Sequence, residues 1–167
     1  MAELASSDRL QPSLLDRLTD EDPKRKQESR NQKVITVREL RRAVLRDLAW
    51  LLNTANKMSP EQQARYPRAT ASALNYGAPD LTGTTGSSLS FDILRDRIMQ
   101  SISRYEPRLI PGTVRVKIGP TDKGGPNDVG IEIAADLWAD PTPESLFVRT
   151  DVDLETGACI VTDAGNG

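Results

Sequence analysis

Histidine does not occur anywhere in this chain of 167 residues. Its absence removes the commonest general base near neutral pH and the commonest zinc ligand together. There is one cysteine, Cys159, so no internal disulfide can form. Aromatic residues make up only 4% of the chain, too few to line a sugar cleft with the usual platforms. No apolar run approaches the roughly 18 to 20 residues needed to cross a bilayer, and the start lacks the basic-then-apolar layout of a signal peptide. A reducing cytoplasm, with no direct membrane insertion, is the expected setting. Charge of one sign is lacking too: 22 Lys and Arg face 24 Asp and Glu, for a net charge of -2. Bulk electrostatics therefore gives no reason to expect nucleic acid or acidic lipid as a partner.

What is present is enough for one core, since 37% of the residues are apolar. Residues 1–33 hold no aromatic side chain and end in "TDEDPKRKQESRNQK", so they read as a flexible arm. Within it Leu14, Leu15 and Leu18 have helical spacing, with Ser13 as cap and Pro23 as stop. That small apolar face either packs back on its own domain or meets a partner. Residues 34–167 read as a single domain.

Two amphipathic helices are predicted. The first, in "TVRELRRAVLRDLAWLLNT", has the capping-box spacing at Thr36 and Glu39 and an apolar stripe of Leu40, Val44, Leu48 and Leu51. Arg38, Arg41, Arg42 and Arg46 fall largely outside the stripe, and with Asp47 and Glu39 they are expected to be solvated. A connection rich in Pro, Gly, Ser and Thr follows from Lys57 to Ser90. The second helix, in "SLSFDILRDRIMQSISRY", aligns Phe91, Leu94, Ile98, Ile102 and Tyr105, with Ser90 as the expected cap. After Gly112 the period changes to two in "TVRVKI", "DVGIEIAADLWA", "SLFVRTDVDL" and a short last strand at Ala158 to Thr162. Helices followed by strands predict an α+β domain, with the two main helices on a small, largely antiparallel sheet of three to four strands.

The stretch "SISRYEPRL" carries the sharpest local question. Pro107 has no amide hydrogen and pushes Glu106 out of the helical region, so the helix should stop at Tyr105 and hold Glu106 and Arg108 at a fixed bend. The pair can serve acid chemistry, grip a partner, staple the fold internally, or sit in water. An enzyme would have to be built from carboxylates, and nothing in the chain ties Glu106 to a second acid such as Asp96 or Asp136 at glycosidase spacing. "GTTGSS" has no following lysine and "DPTPES" lacks the EF-hand spacing, so neither a phosphate loop nor a calcium loop is present. No cofactor and no metal are expected. The informative features are surfaces.

Five ordered segments, "SLLDRLTDEDP", "VRELRRAVLRDLAWLLNT", "YGAPDLTG", "YEPRL" and the closing strands, resemble the TssE family. TssE proteins are baseplate components of bacterial type VI secretion systems, similar to the small wedge protein of contractile phage baseplates. The resemblance implies a non-enzymatic wedge subunit at the cytoplasmic face of the inner membrane, beside TssF and TssG and near TssK, that helps start the contractile sheath of TssB and TssC by strand addition. It also implies a partner-binding role for Glu106, Pro107 and Arg108, which match the family's Glu-Pro-Arg signature. Leu14, Leu15 and Leu18 are candidate partner contacts by their own pattern. Two other classes fit less well: a peptidoglycan hydrolase would need a catalytic constellation that the chain lacks, and an RNA-binding module is disfavoured by the balanced charge.

Overall fold

The computed structural model describes residues 12–19, 35–80, 90–121, 128–139 and 142–165. The readings made for most of the arm, for the stretch 81–89 and for the hairpin turn at 122–127 lie outside these residues.

The chain runs α1 (Leu14–Leu18), α2 (Val37–Leu52), α3 (Pro60–Arg65), α4 (Pro67–Thr70), a 3-10 turn (Ala73–Asn75), α5 (Phe91–Tyr105), then β1 (Arg115–Pro120), β2 (Asp128–Leu137), β3 (Glu144–Asp153) and β4 (Cys159–Asp163). It is an α+β fold. Thr36 and Glu39 close the capping box that starts α2, as their spacing requires. Ser90 starts α5 without a side-chain cap bond, contrary to the sequence expectation; Asp92 pairs with Arg95 instead, at 2.8 Å.

The four strands form one antiparallel meander in the order β1-β2-β3-β4. Ile131, Ile133, Ala135 and Leu137 of β2 and Leu146, Val148 and Val152 of β3 point to the same buried side. The α2 stripe and Leu94, Ile98 and Ile102 of α5 close over that side to make one core. Leu48 and Ile102 are fully buried, and truncating either to alanine typically costs about 2 to 5 kcal/mol. Helix α2 lies toward β4 and α5 toward β1.

The connection is stitched down rather than loose. The backbone of Ala78 donates to Thr54 and accepts from Asn56, beside a parallel bridge to Ala55. Gly77 has φ +131°, and a side chain there would run into the Thr54 carbonyl, so glycine is required.

Two polar clamps fix α2 along β4. Near its start Arg41 donates to both carboxylate oxygens of Asp163, at 2.6 and 2.7 Å, and to Glu144 at 3.3 Å. At its end Asn53 bonds both main-chain groups of Cys159, at 2.8 and 2.9 Å. Arg41 was expected to be solvated, but its side chain is only 12% exposed, because β4 arrives beside it through tertiary packing. Hydrogen bonding from Arg41 is the main reason the Asp163 carboxyl lies below its ordinary value of 3.8. Such a depressed carboxyl contributes stability that is complete above the ordinary value and is lost as pH falls through the folded value. Arg41→Ala should therefore lower stability by about 1 to 3 kcal/mol at neutral pH. Thermal melts should show the gap to the native protein narrowing below roughly pH 4; a gap that persists unchanged at lower pH would assign the loss to packing instead.

Candidate functional site

Helix α5 ends where Pro107 makes it end. Glu106 takes φ -122° and ψ 76°, and its amide closes the last helical turn on Ile102. The chain then bends into the sheet: Arg108 accepts from the Trp138 amide, and the Ile110 amide donates to Asp136, both at 2.8 Å. Glu106 is thereby carried inside, with only 2% of its surface exposed.

A buried carboxylate needs donors, and Arg108 supplies them from two residues away. Its Nε donates to Oε1 at 2.6 Å and its Nη2 to Oε2 at 2.5 Å. The same Nη2 reaches Asp47 on α2, also at 2.5 Å. Asp47 accepts from Arg46 Nε at 2.8 Å, and Arg46 in turn faces Asp16 of α1 at 2.8 Å while lying over the Trp50 ring. Three carboxylates and two guanidinium groups thus form one chain of contacts. Burial by itself would lower the Arg108 pKa, but its bonds to Glu106 and then Asp47 outweigh it and drive the value up. Burial also works against the ionised form of Asp16, yet bonds from Ser13 and Arg46 hold its carboxyl below the ordinary range. Tyr76 packs edge-on against Tyr105 at 5.1 Å. Burial first, and then the negative charges of Asp47 and Glu106, raise its hydroxyl pKa.

The structure brings Glu106 and Arg108 together as an internal pair and leaves Pro107 exposed between them. It places α1 beside the same cluster through Asp16, whereas the leucines point away: Leu14 and Leu18 are each 74% exposed and Leu15 is 42% exposed. Asp47, expected in solvent, is one of the cluster's anchors, because α2 turns that edge of its polar face toward the Arg108 bend. Sequence reasoning passed over Asp16, Arg46, Asp47 and Tyr76 as site residues. Asp16 carried a signal, since it is the reciprocal partner of Ser13 in the α1 capping box; Arg46 and Asp47 carried none beyond lying next to each other.

Both Glu106 oxygens are engaged by a guanidinium, so this carboxylate is not placed to give or take a proton from a substrate. Cys159 is buried, and burial pushes its thiol up to about 11, which keeps it protonated and unreactive. Among the described residues no group of three potential metal ligands comes together. The arrangement is suited to holding elements in place and presenting what lies around them.

Arg108→Ala strands the buried Glu106 and should cost about 2 to 5 kcal/mol, whereas Glu106→Gln keeps the Asp47 pair and should cost less than half as much. Denaturant midpoints measure both. Equal losses would mean that losing the Glu106–Arg108 ion pair, rather than stranding a buried charge, sets the cost.

A family model described as baseplate wedge protein gp25 matches residues 38–142, more than half of the chain. The span holds Arg46, Asp47, Tyr76, Glu106, Pro107 and Arg108, and the family is the one that includes TssE. No curated protein and no solved structure gives a significant match. The fold, the interlocked Glu-Pro-Arg bend and this match agree, and the chain belongs to the baseplate wedge protein gp25 family, a family of structural baseplate proteins.

Proposed function

We infer that this protein is a TssE-type wedge subunit of a type VI secretion baseplate, assembled with TssF and TssG, near TssK, at the cytoplasmic face of the inner membrane. The observation that carries this reading is the convergence of four separate segments on the Glu106–Arg108 pair. Asp16, Arg46 with Asp47, Tyr76 and the bend itself come from the four N-terminal stretches that resemble TssE; the charged residues meet in one cluster, and Tyr76 packs on Tyr105 beside it. A cluster interlocked around a buried carboxylate holds its surroundings in place, and the exposed Pro107, Leu14, Leu15 and Leu18 are the groups it offers outward. These, with Glu106 and Arg108 behind them, are the proposed partner-binding residues. Co-expression with TssF and TssG, with purification on one tagged member, is expected to yield a stable complex. Recovery of TssF and TssG without this chain would overturn the reading.

The same subunit is proposed to start the sheath by adding a strand from TssB or TssC to its own sheet. Main-chain groups of antiparallel strands alternate sides, and the ladder contacts fix which groups of each outer strand face away from the sheet. Phe147 accepts from Ala164 and Asp153 donates to Ala158, so the alternate residues Cys159 and Val161 turn away from β3, and Asn53 already occupies both groups of Cys159. Ile160, which also faces β3, and Val148, on interior β3, are therefore poor probes of a docking edge. On the other side Asp136 accepts from Ile110, so Arg115 and Lys117 face β2 and Val116 and Ile118 turn outward. Strand β1 is the edge we assign. Ile118→Pro removes one outward amide and should abolish sheath assembly in cells while leaving the wedge complex intact. Normal sheath elongation in a folded Ile118→Pro variant would exclude β1. A peptidoglycan turbidity assay should show no turnover.

A further inference from the structure

The arginines that serve the fold are recognisable by their partners: Arg41, Arg46, Arg95, Arg108 and Arg149 each lie against a carboxylate. Four others, joined along one surface, do not. Arg97 and Arg104 of α5 are seven positions apart, so they share a helix face about 10 Å apart along the axis, in a row with the exposed Ile93 and Gln100. Arg104 Nη1 donates to the Thr70 carbonyl at 2.9 Å, which sets the end of α5 against α4, where Arg68 lies two residues earlier. The Thr70 hydroxyl lies within reach of the Gln63 and Tyr66 carbonyls, at 3.1 and 3.0 Å, and ties α3 into the same surface. There the Arg65 guanidinium lies over the exposed Tyr66 ring, 5.5 Å from its centroid.

Nothing within the described residues neutralises this stripe. All four arginines are exposed, none pairs with a carboxylate, and Arg68 and Arg97 make no hydrogen bond either. The acids of α5, Asp92 and Asp96, are both held by Arg95, at 2.8 and 3.0 Å, and Glu61 is the only acid in residues 60–76 and 97–105. Arg104 suits the negative end of α5, but Arg97, in the middle of the helix, has no such role.

We propose that this stripe docks an acidic segment of a partner protein. Carboxylates are the complementary groups, since each guanidinium offers a planar fork that holds a carboxylate through two donors. Tyr66 and Ile93 supply exposed apolar surface beside the charges for the segment's other side chains. A narrow segment fits better than a membrane, because a broad anionic surface would also meet Asp92, Asp96 and Glu61, whereas one segment lies on the arginines alone. On the wedge reading above the segment belongs to TssF or TssG; the site itself rests on the contacts just described.

The probe is a labelled peptide of alternating glutamate and alanine, followed by fluorescence anisotropy with the full-length chain. Binding should weaken about fivefold or more in Arg68→Gln/Arg97→Gln, in which neither lost side chain makes a bond within the fold, and less than about twofold in Arg38→Gln/Arg42→Gln, which removes the same charge from exposed positions of α2. Raising salt from about 0.05 M to about 0.5 M should abolish it. Equal weakening by the two pairs of substitutions, or no binding of the peptide, overturns the site and leaves a solvated surface. Binding to vesicles containing phosphatidylserine but not to the peptide assigns the stripe to lipid and overturns the protein occupant. In pull-downs with TssF and TssG, Arg68→Gln/Arg97→Gln should be recovered at about one-fifth of the native level. Recovery at the native level overturns the assignment to those two subunits. If the native chain itself fails to associate with them, the wedge reading falls, and the peptide measurement still decides the site.

Discussion

The Glu106 carboxylate sits in a place where an unpaired charge would be prohibitively costly, and much of the molecule is arranged so that it is not unpaired. Pro107 ends α5 and turns the chain so that Arg108 returns its guanidinium to the residue two positions back. That guanidinium has donors to spare. It spends them on Asp47, which draws α2 toward the bend, and Asp47 passes the contact to Arg46. A buried pair of this kind adds little net stability compared with apolar residues of the same shape, but breaking it is expensive. Its physical effect is to specify one arrangement of helix end, sheet edge and neighbouring helix over others.

Helix α2 is the element through which these constraints communicate. One stripe of it fills the core, its first turns are clamped to β4 by Arg41, and its end is clamped there by Asn53. Its middle presents Arg46 and Asp47 to the cluster. A shift of α2 along its axis would therefore strain both the β4 clamps and the ion cluster. The connection after it adds to this rigidity, since Tyr105 reaches the Ser72 carbonyl at 2.9 Å and Tyr76 packs against Tyr105.

A molecule built this way has its chemistry turned inward and its contact groups turned outward. The Glu106 carboxylate is taken up in an ion pair with Arg108, and the one thiol is buried and held protonated. Turned outward are the leucines of α1, Pro107 and the outer amides of β1, the groups proposed above as assembly contacts. Membership of a baseplate wedge family is consistent with that balance.

The main helices, the order of helices before strands and the stop at Tyr105 were all legible in the sequence, because each depends on neighbours a few residues away. Stripes at 3.6 and 2 residues, the Thr36 capping box and the Glu-Pro step are local patterns, and local patterns survive in a one-dimensional reading. The union of Glu106 with Arg108 was open to the same reading, being two residues apart. What only the tertiary structure decided is which charges of α2 are solvated and which are structural. Arg38 and Arg42 remain exposed, whereas Arg41 meets Asp163, 122 positions on, and Asp47 meets Arg108, 61 positions on. Helical periodicity shows that all of these lie off the apolar stripe, but it carries no information about what the fold brings up beside them. That depends on where β4 and the α5 bend come to rest, which is set by packing of the whole core.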